Sequence, residues 1–320
     1  MPQPAVRGRK MPAQLDQVTG ATGVRTPWND AVEAFLREKK RMGLSPSTLE
    51  LYRSLLAGPR VRAYLDDAGI SAASGLTDQA LRDFESELQA SGLAEGSVHQ
   101  YHATLKNFAR FCLSRGRSED RGVLEVSAPK QAKTAPGIIS REDEAKLLAA
   151  ARKPRDKFII KFLMGTGLRR AELLALMIDD IITGPDGDIV HVRLGKGRKD
   201  RLVPLDSKRM GTSLTKATRD YINRDRPSDT ASRALFLTHV KAGQDYQPLS
   251  VGGLHSLMRR LEADTGIECN PHRFRHSYGT RAIQAGIPAF AVQRLLGHTT
   301  LDMVSEYVHY DDVSLMDAVN

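Results

Sequence analysis

The sequence predicts a mainly α-helical chain with a small antiparallel β-sheet, divided into two domains. Apolar residues recur at three- and four-residue steps along most of its 320 residues, which is the helical period. The stretch from Ile181 to Val203 replaces that period with short β-branched runs separated by glycine-containing turns. Residues 116–137 carry neither pattern and separate one helical region from the next.

Residues 1–26 hold Arg7, Arg9, Lys10 and Arg25 against Asp16 among prolines and glycines, and read as a mobile basic tail. Residues 27–115 read as a helical bundle. Val32, Phe35, Leu36 and Met42 mark the inner face of its first helix, with Arg37, Lys39, Lys40 and Arg41 on the polar remainder. Ser45 and Pro46 make an N-cap and first-turn pair that opens a second helix, with Leu49, Tyr52, Leu55 and Leu56 inward. A later, longer helix carries Val98, Tyr101, Leu105, Phe108 and Cys112 inside and His99, Lys106 and Arg110 outside. Residues 116–137, GRSEDRGVLEVSAPKQAKTAPG, read as a linker.

The second domain covers 138–320. Ser140 and Asp143 stand at capping-box spacing at the head of a helix continued by Leu147, Leu148 and Ala151. A further helix through Phe158, Ile159, Phe162 and Leu163 breaks at Gly165-Thr166-Gly167 and restarts from Glu172 to Leu176, a helix-turn-helix corner. Next come Ile181-Ile182, the turn Gly184-Pro185-Asp186-Gly187, the run Ile189 to Leu194, the turn Gly195 to Asp200, and Leu202-Val203. They predict a three-stranded meander with Lys196 near the start of its second turn. The remainder, to Asn320, is mostly helical in pattern.

A composition of 41% hydrophobic and 27% charged residues supplies one or two ordinary cores and argues against wholesale disorder. The 47 basic and 38 acidic side chains leave a net charge of +9, which favours a polyanionic partner. That surplus is uneven: residues 27–115 balance at 11 of each sign, whereas Ile138 to the end holds 28 basic and 23 acidic residues. Cys112 and Cys269 lie too far apart for a paired ligand motif, and two cysteines build no disulfide framework, which fits a reducing compartment. MPQPAVRGRK lacks an apolar stretch after its basic residues, and no run approaches the ~18 apolar residues of a membrane span. A cytoplasmic protein with no membrane partner is expected.

Several familiar sites are excluded by spacing. Gly165 and Gly167 suggest a dinucleotide fingerprint, but Arg170 takes the third glycine's place and no strand precedes the turn. His272 and His276 stand four apart like zinc ligands on a helix, yet Arg273 and Arg275 add charge that repels a cation. No Gly-x-Ser-x-Gly elbow is present. There remain Arg169, Lys196, His272, Arg275, His298 and Tyr307, each of which singly has an ordinary structural role.

Their order gives them a joint meaning. GTGLRRAELLAL, GKGRKDRLVPL, PHRFRHSYGT and LLGHTTLDMVSEYVHY, in that order, resemble the four-box signature of the tyrosine recombinases, the phage integrase family that includes the Xer and Cre recombinases. The match runs from about residue 160 to 310, and the first domain resembles that family's helical core-binding domain through Ser45-Pro46-Ser47-Thr48-Leu49 and the Tyr101 helix. The resemblance implies a two-domain DNA clamp, with Arg169 and Arg275 as catalytic arginines and Lys196 as the turn lysine. It makes His272 and His298 the active-site histidines and Tyr307 the nucleophile. Tyr310, three residues on, is a rival nucleophile, and Lys199 a rival for Lys196; register with His298 and the Gly-Lys-Gly context favour Tyr307 and Lys196. Phe274, where the family often has leucine, should pack inward. Ser47, Thr48, Arg53, His99 and Lys106 in the first domain, and Arg198, Lys199 and Arg201 around the second turn, are the expected DNA contacts.

The chemistry agrees with that assignment. Attack on a phosphodiester builds negative charge on the nonbridging oxygens, which two guanidiniums hold through paired, charge-assisted hydrogen bonds. A tyrosine hydroxyl, with a reference pKa of about 10, needs a proton acceptor and a cationic site. A turn lysine can protonate the leaving 5′ oxygen, and no metal or other cofactor is required. Glu172 is expected to orient Arg169 or cap its helix.

The resemblance further implies double-stranded DNA with inverted-repeat core sites as substrate and a homotetramer on synapsed DNA. It leaves room for accessory DNA-bending or directionality factors. The tail Asp311 to Asn320, with Val313, Leu315, Met316 and Val319, forms either a short helix docked on a neighbouring protomer or a tail folded back on its own domain. Two other readings stand beside it: a type IB topoisomerase-like relaxing enzyme, and a non-catalytic DNA-binding protein on the same scaffold.

Overall fold

The computed structural model describes residues 26–130, 137–185, 187–193 and 200–297. The basic tail through Arg25, Lys196, Arg198, Lys199, His298, Tyr307, Tyr310 and the tail from Asp311 lie outside the described residues. The chain divides into two compact units, Met1–Lys133 and Thr134–Asn320.

The first unit contains α1 (Trp28–Arg41), α2 (Pro46–Leu56), α3 (Pro59–Asp67), α4 (Asp78–Ala90) and α5 (Glu95–Ser114). Their apolar faces meet in one core around Phe35, Leu56, Leu81, Phe84 and Phe108, all essentially inaccessible to solvent. Ser45 caps α2 by accepting from Thr48 N at 3.2 Å, ahead of Pro46 at the first helical position. Met42, expected inside, is 62% exposed, because α1 stops at Arg41 and the chain turns at Gly43, whose φ is 83°.

Part of the expected linker belongs to this unit. Gly122–Leu124 make a single 3₁₀ turn, and Val123 and Val126 are buried in the same core. Asp120 fixes that turn by accepting from Gly122 N at 2.7 Å and from Asp78 N, at the head of α4, at 3.0 Å. Two buried valines are too few to register as a helical or strand period.

The second unit begins with α6 (Arg141–Ala150), opened by the capping box of Ser140 and Asp143. α7 (Pro154–Thr166) is its central helix, with Phe158, Ile159, Phe162 and Leu163 buried. It ends at Gly167, and α8 (Arg170–Ala175) follows. β1 (Ile181–Ile182), β2 (Ile189–Val192) and β3 (Arg201–Pro204) form the antiparallel meander in the order β1-β2-β3, with Val190 opposite Val203. The chain beyond it was expected to be mostly helical, yet it adds two more hairpins. β4 (Asp206–Ser207) pairs with β5 (Thr212–Ser213), and after α9 (Thr215–Asp220), β6 (Leu237–Ala242) pairs with β7 (Asp245–Pro248). Gly243, at φ 73°, makes the tight turn of the latter.

α10 (Val251–Thr265), α11 (Pro271–Gln284) and α12 (Ala289–Leu296) complete the described chain. α11 packs along α7, and a small cluster of Tyr278, Ala282, Val292 and Leu296 seats α12 on α11. No helix among the described residues is long and apolar enough to cross a membrane.

Candidate active site

Two helix ends and two helix starts converge in the second unit. α7 and α12 both finish in a left-handed glycine, Gly167 at φ 61° and Gly297 at φ 66°. Each end leaves backbone carbonyls without a helical partner. Three arginines satisfy them. Arg201 Nε donates to Leu295 O at 2.6 Å, Arg275 Nη2 to Leu296 O at 2.6 Å and Arg169 Nη2 to Gly297 O at 2.8 Å. Arg275 Nη1 also donates to Gly167 O at 2.9 Å, so one guanidinium bridges the ends of α7 and α12. Cations at helix C-termini are favoured further by the helix dipole.

Glu172 sits behind this row. Its Oε2 accepts from Arg169 N at 2.8 Å, which caps α8, and its Oε1 accepts from Arg169 Nη1 at 2.9 Å. Arg201 meets the same carboxylate as a fork, at 2.9 and 2.7 Å. Burial alone would raise the Glu172 pKa; the hydrogen bonds and charge of Arg201, with the Arg169 contacts, outweigh it and hold the group at about 2. Three guanidiniums against one ionised carboxylate leave a surplus of two positive charges.

α11 delivers the histidine and the deep arginine. Asn270 Oδ1 caps it by accepting from Arg273 N at 2.9 Å, and Pro271 takes the first helical position. His272 is consequently exposed on the first turn, while Arg275, one turn on, is buried at 3%. His272 Nε2 lies 3.0 Å from Nε2 of His276, which is buried, and whose pKa is pushed down to about 4 by burial and by the neighbouring His272 and Arg275. Phe274 is fully buried, as its place in the motif led one to expect. Tyr278, close to these arginines, is 3% exposed, and burial pushes its hydroxyl up to about 12.

The result is a cleft of about 390 Å³ lined by Arg169, Arg170, Asn270, His272 and Arg275, with no carboxylate among its lining residues. Arg169, His272 and Arg275, nominated from the sequence, therefore share one cationic concavity. Lys196, His298 and Tyr307, with Arg198 and Lys199, lie outside the described residues.

The expected DNA contacts fare differently. Arg201 is not presented on a surface: it is 9% exposed, and all three of its nitrogens are bound to Glu172 and Leu295. The sequence carried a signal for this, because Arg201 shares the inward face of β3 with the buried Val203 while Leu202 points out. Arg53 makes a two-oxygen fork on Glu33 of α1. Lys106 donates to Val126 O at 2.8 Å and His99 bonds Pro129 O, so both hold the chain that follows α5 instead of standing free on its outer face. Ser47 and Thr48 remain at the N-terminus of α2, their hydroxyls 3.0 and 2.8 Å from Ser45 Oγ.

Comparison with known proteins identifies the family of the chain. Residues 138–313 match the model of the phage integrase family, and residues 32–116 match that of the phage integrase N-terminal SAM-like domain. The chain is 31% identical to tyrosine recombinase XerD of Bifidobacterium longum over 86% of its own length and 90% of that protein's. It is 30% identical to tyrosine recombinase XerA of Thermococcus kodakarensis, covering 87% and 90%. Among solved structures, XerH site-specific recombinase bound to a palindromic difH substrate superposes with a TM-score of 0.70 at 20% identity, covering 92% of this chain and 97% of that one. A lambda integrase tetramer bound to a Holliday junction gives 0.67 at 18% identity, covering 86% and 78%. At those identities the structural likeness is one of fold; the family matches in sequence go further, and by them the chain belongs to the phage integrase family, the tyrosine recombinases.

Proposed function

We propose that this chain is a site-specific DNA recombinase that cleaves and rejoins duplex DNA through a 3′-phosphotyrosyl intermediate, with Tyr307 as nucleophile. The observation that carries the reading is the cleft shared by Arg169, His272 and Arg275, whose two arginines are anchored on the backbone carbonyls immediately before His298.

A scissile phosphate seated there meets fixed positive charge before any bond changes. As Tyr307 Oη attacks phosphorus, the guanidiniums of Arg169 and Arg275 take up the charge growing on the nonbridging oxygens. The phenolic proton passes to His272 or His298. The bond from phosphorus to the 5′ oxygen breaks, and Lys196 protonates that oxygen as it leaves. The 5′ hydroxyl of a second strand then gives its proton to Lys196 and attacks the phosphotyrosine, the bond to Tyr307 breaks, and the phenol recovers its proton from the histidine. Bond energy is conserved throughout, so no energy cofactor enters.

The lambda integrase assembly, a tetramer on a Holliday junction, supports a homotetramer acting on two synapsed duplexes with inverted-repeat core sites, each protomer clamping DNA with both of its domains. Ser47 and Thr48 in the helical domain, and Arg198 and Lys199 beside the catalytic turn, supply DNA contacts in this reading. Accessory bending or directionality factors act at the level of the DNA site, and the work is cytoplasmic.

Nicked suicide duplexes test the proposal. Wild type should accumulate a covalent adduct on an inverted-repeat site and not on a scrambled one, and Tyr307→Phe should form none. An undiminished adduct in the Phe variant refutes the nucleophile assignment, and equal adduct on scrambled DNA points to a relaxing enzyme.

A further inference from the structure

Arg201 joins three segments that each bear on the proposed chemistry. It opens β3, five positions after Lys196 in the sequence. Its fork engages both oxygens of Glu172, the carboxylate that also holds Arg169 by backbone and side chain. Its Nε holds Leu295 O, adjacent to the carbonyls that receive Arg275 and Arg169. The side chains of Arg201 and Glu172 are 7% and 6% exposed, which places the pair behind the cleft and away from solvent.

We infer that Arg201 is a positioning residue for strand cleavage, which keeps Arg169 oriented and electrically available to the scissile phosphate. The inference rests on the recombinase reading and deepens it.

The electrostatic part follows from stoichiometry. If Glu172 had Arg169 as its sole partner, the two would form a neutral ion pair and the charge of Arg169 would be spent on it. Arg201 supplies the second guanidinium, so the carboxylate is balanced from behind and positive charge remains at the cleft. The geometric part follows from the fork. Each Glu172 oxygen accepts two hydrogen bonds, one from each arginine residue, which fixes the carboxylate plane and with it the head of α8. Lysine would restore a point charge but neither the fork nor the Nε bond to Leu295 O. Stability alone is a weak reason for such a pair, since a buried ion pair is often matched or bettered by apolar residues of the same volume.

The experiment measures single-turnover cleavage of two suicide duplexes, one with the native scissile phosphate and one with a methylphosphonate, in which a neutral methyl replaces a charged nonbridging oxygen. Arg201→Gln and Arg201→Lys are compared with wild type and with Arg169→Ala, alongside DNA affinity and thermal unfolding. Arg201→Gln should cleave the native phosphate about 100-fold more slowly at unchanged DNA affinity, a loss of the size seen when one charge-stabilising donor is removed. Its deficit should shrink on the methylphosphonate, in parallel with Arg169→Ala, because less charge then needs stabilising. Arg201→Lys, which keeps the charge and most of the volume, should lie between Gln and wild type. An equal deficit on both duplexes means that Arg201 is merely structural and overturns the inference, and so does wild-type cleavage by either variant. A loss of affinity in step with cleavage returns Arg201 to the DNA contacts and overturns it as well. If wild type forms no adduct on either duplex, it is the recombinase reading that fails.

Discussion

Glu172 is ionised deep in a protein interior because two arginines surround it. Glu172→Gln removes the charge but keeps the shape, leaving Arg169 and Arg201 against a neutral amide; the expected cost is about 3 kcal/mol in urea unfolding, typical of breaking a buried pair. The same carboxylate makes stability depend on pH. Its folded pKa of about 2 lies below its ordinary 4.5, so its contribution is complete above pH 4.5 and is lost as pH falls towards 2. His276 acts in the same direction at higher pH. Its ring stays neutral to about 4 in the folded chain but takes up a proton near 6.5 when unfolded, so stability falls as pH drops from 6.5 to 4. Urea midpoints measured from pH 7.5 to 4 should decline through that window, and His276→Gln should flatten the decline. At this scale the sequence displayed the residues but not their partners. Arg201 looked like one more cation beside a basic turn, because its carboxylate lies 29 positions away and only the fold brings the two together.

Helix ends, more than helix bodies, build the cleft. The C-terminal glycines of α7 and α12 hold a left-handed backbone at places where the neighbouring packing differs. A Cβ at Gly167 would stand 2.7 Å from Tyr278 Cδ1 and 2.8 Å from Leu296 Cδ2, and one at Gly297 would stand 3.2 Å from Arg201 Nη1. Gly286, at φ 71°, has nothing within 4 Å of the same position. Alanine at Gly286 should therefore cost only the backbone term, about 1 kcal/mol. Alanine at Gly167 should cost several times that, by about 3 kcal/mol or more once overpacking is added. Thermal or urea unfolding of the two variants checks the ranking. Gly297→Ala should also slow DNA cleavage, since it presses on the arginine row.

These elements were unevenly legible. The capping box at Ser140 and the meander from Ile181 to Val203 follow local rules, and the structure holds them where the rules put them; the corner comes later than expected, at Gly167, because α7 runs on through Gly165 and Thr166. The β6–β7 hairpin was missed because its exposed residues, such as Val240, and its irregular register blur the two-residue alternation. Val123 and Val126 were missed because their burial depends on a core assembled from helices far away in sequence.

For the whole molecule, charge and chemistry coincide. The first domain balances its charges, whereas the cleft and the largest share of the basic surplus, 28 basic against 23 acidic residues, belong to the second. Binding to DNA should fall linearly on a log–log plot against salt, with a slope of about −0.9 for each phosphate neutralised, for scrambled duplex as well as for the recognition site. A slope near zero in filter-binding or anisotropy titrations would remove the electrostatic basis of the partner assignment. Composition announced a polyanion, and the four boxes carried the resemblance that nominates the catalytic set, because both are written in the chain itself. Which bases are read is not, since that depends on a few side chains placed in a groove by the assembled fold.

In this mechanism one pocket of fixed arginine charge receives the phosphate under attack. A crystal structure of the chain on a nicked half-site duplex with orthovanadate, which imitates the five-coordinate phosphorus, is the decisive measurement. Vanadium should stand in line with Tyr307 Oη, with the guanidiniums of both Arg169 and Arg275 donating to its equatorial oxygens. Vanadate bound elsewhere, or bound with Arg169 and Arg275 facing away from it, would refute a shared arginine pocket for the phosphate.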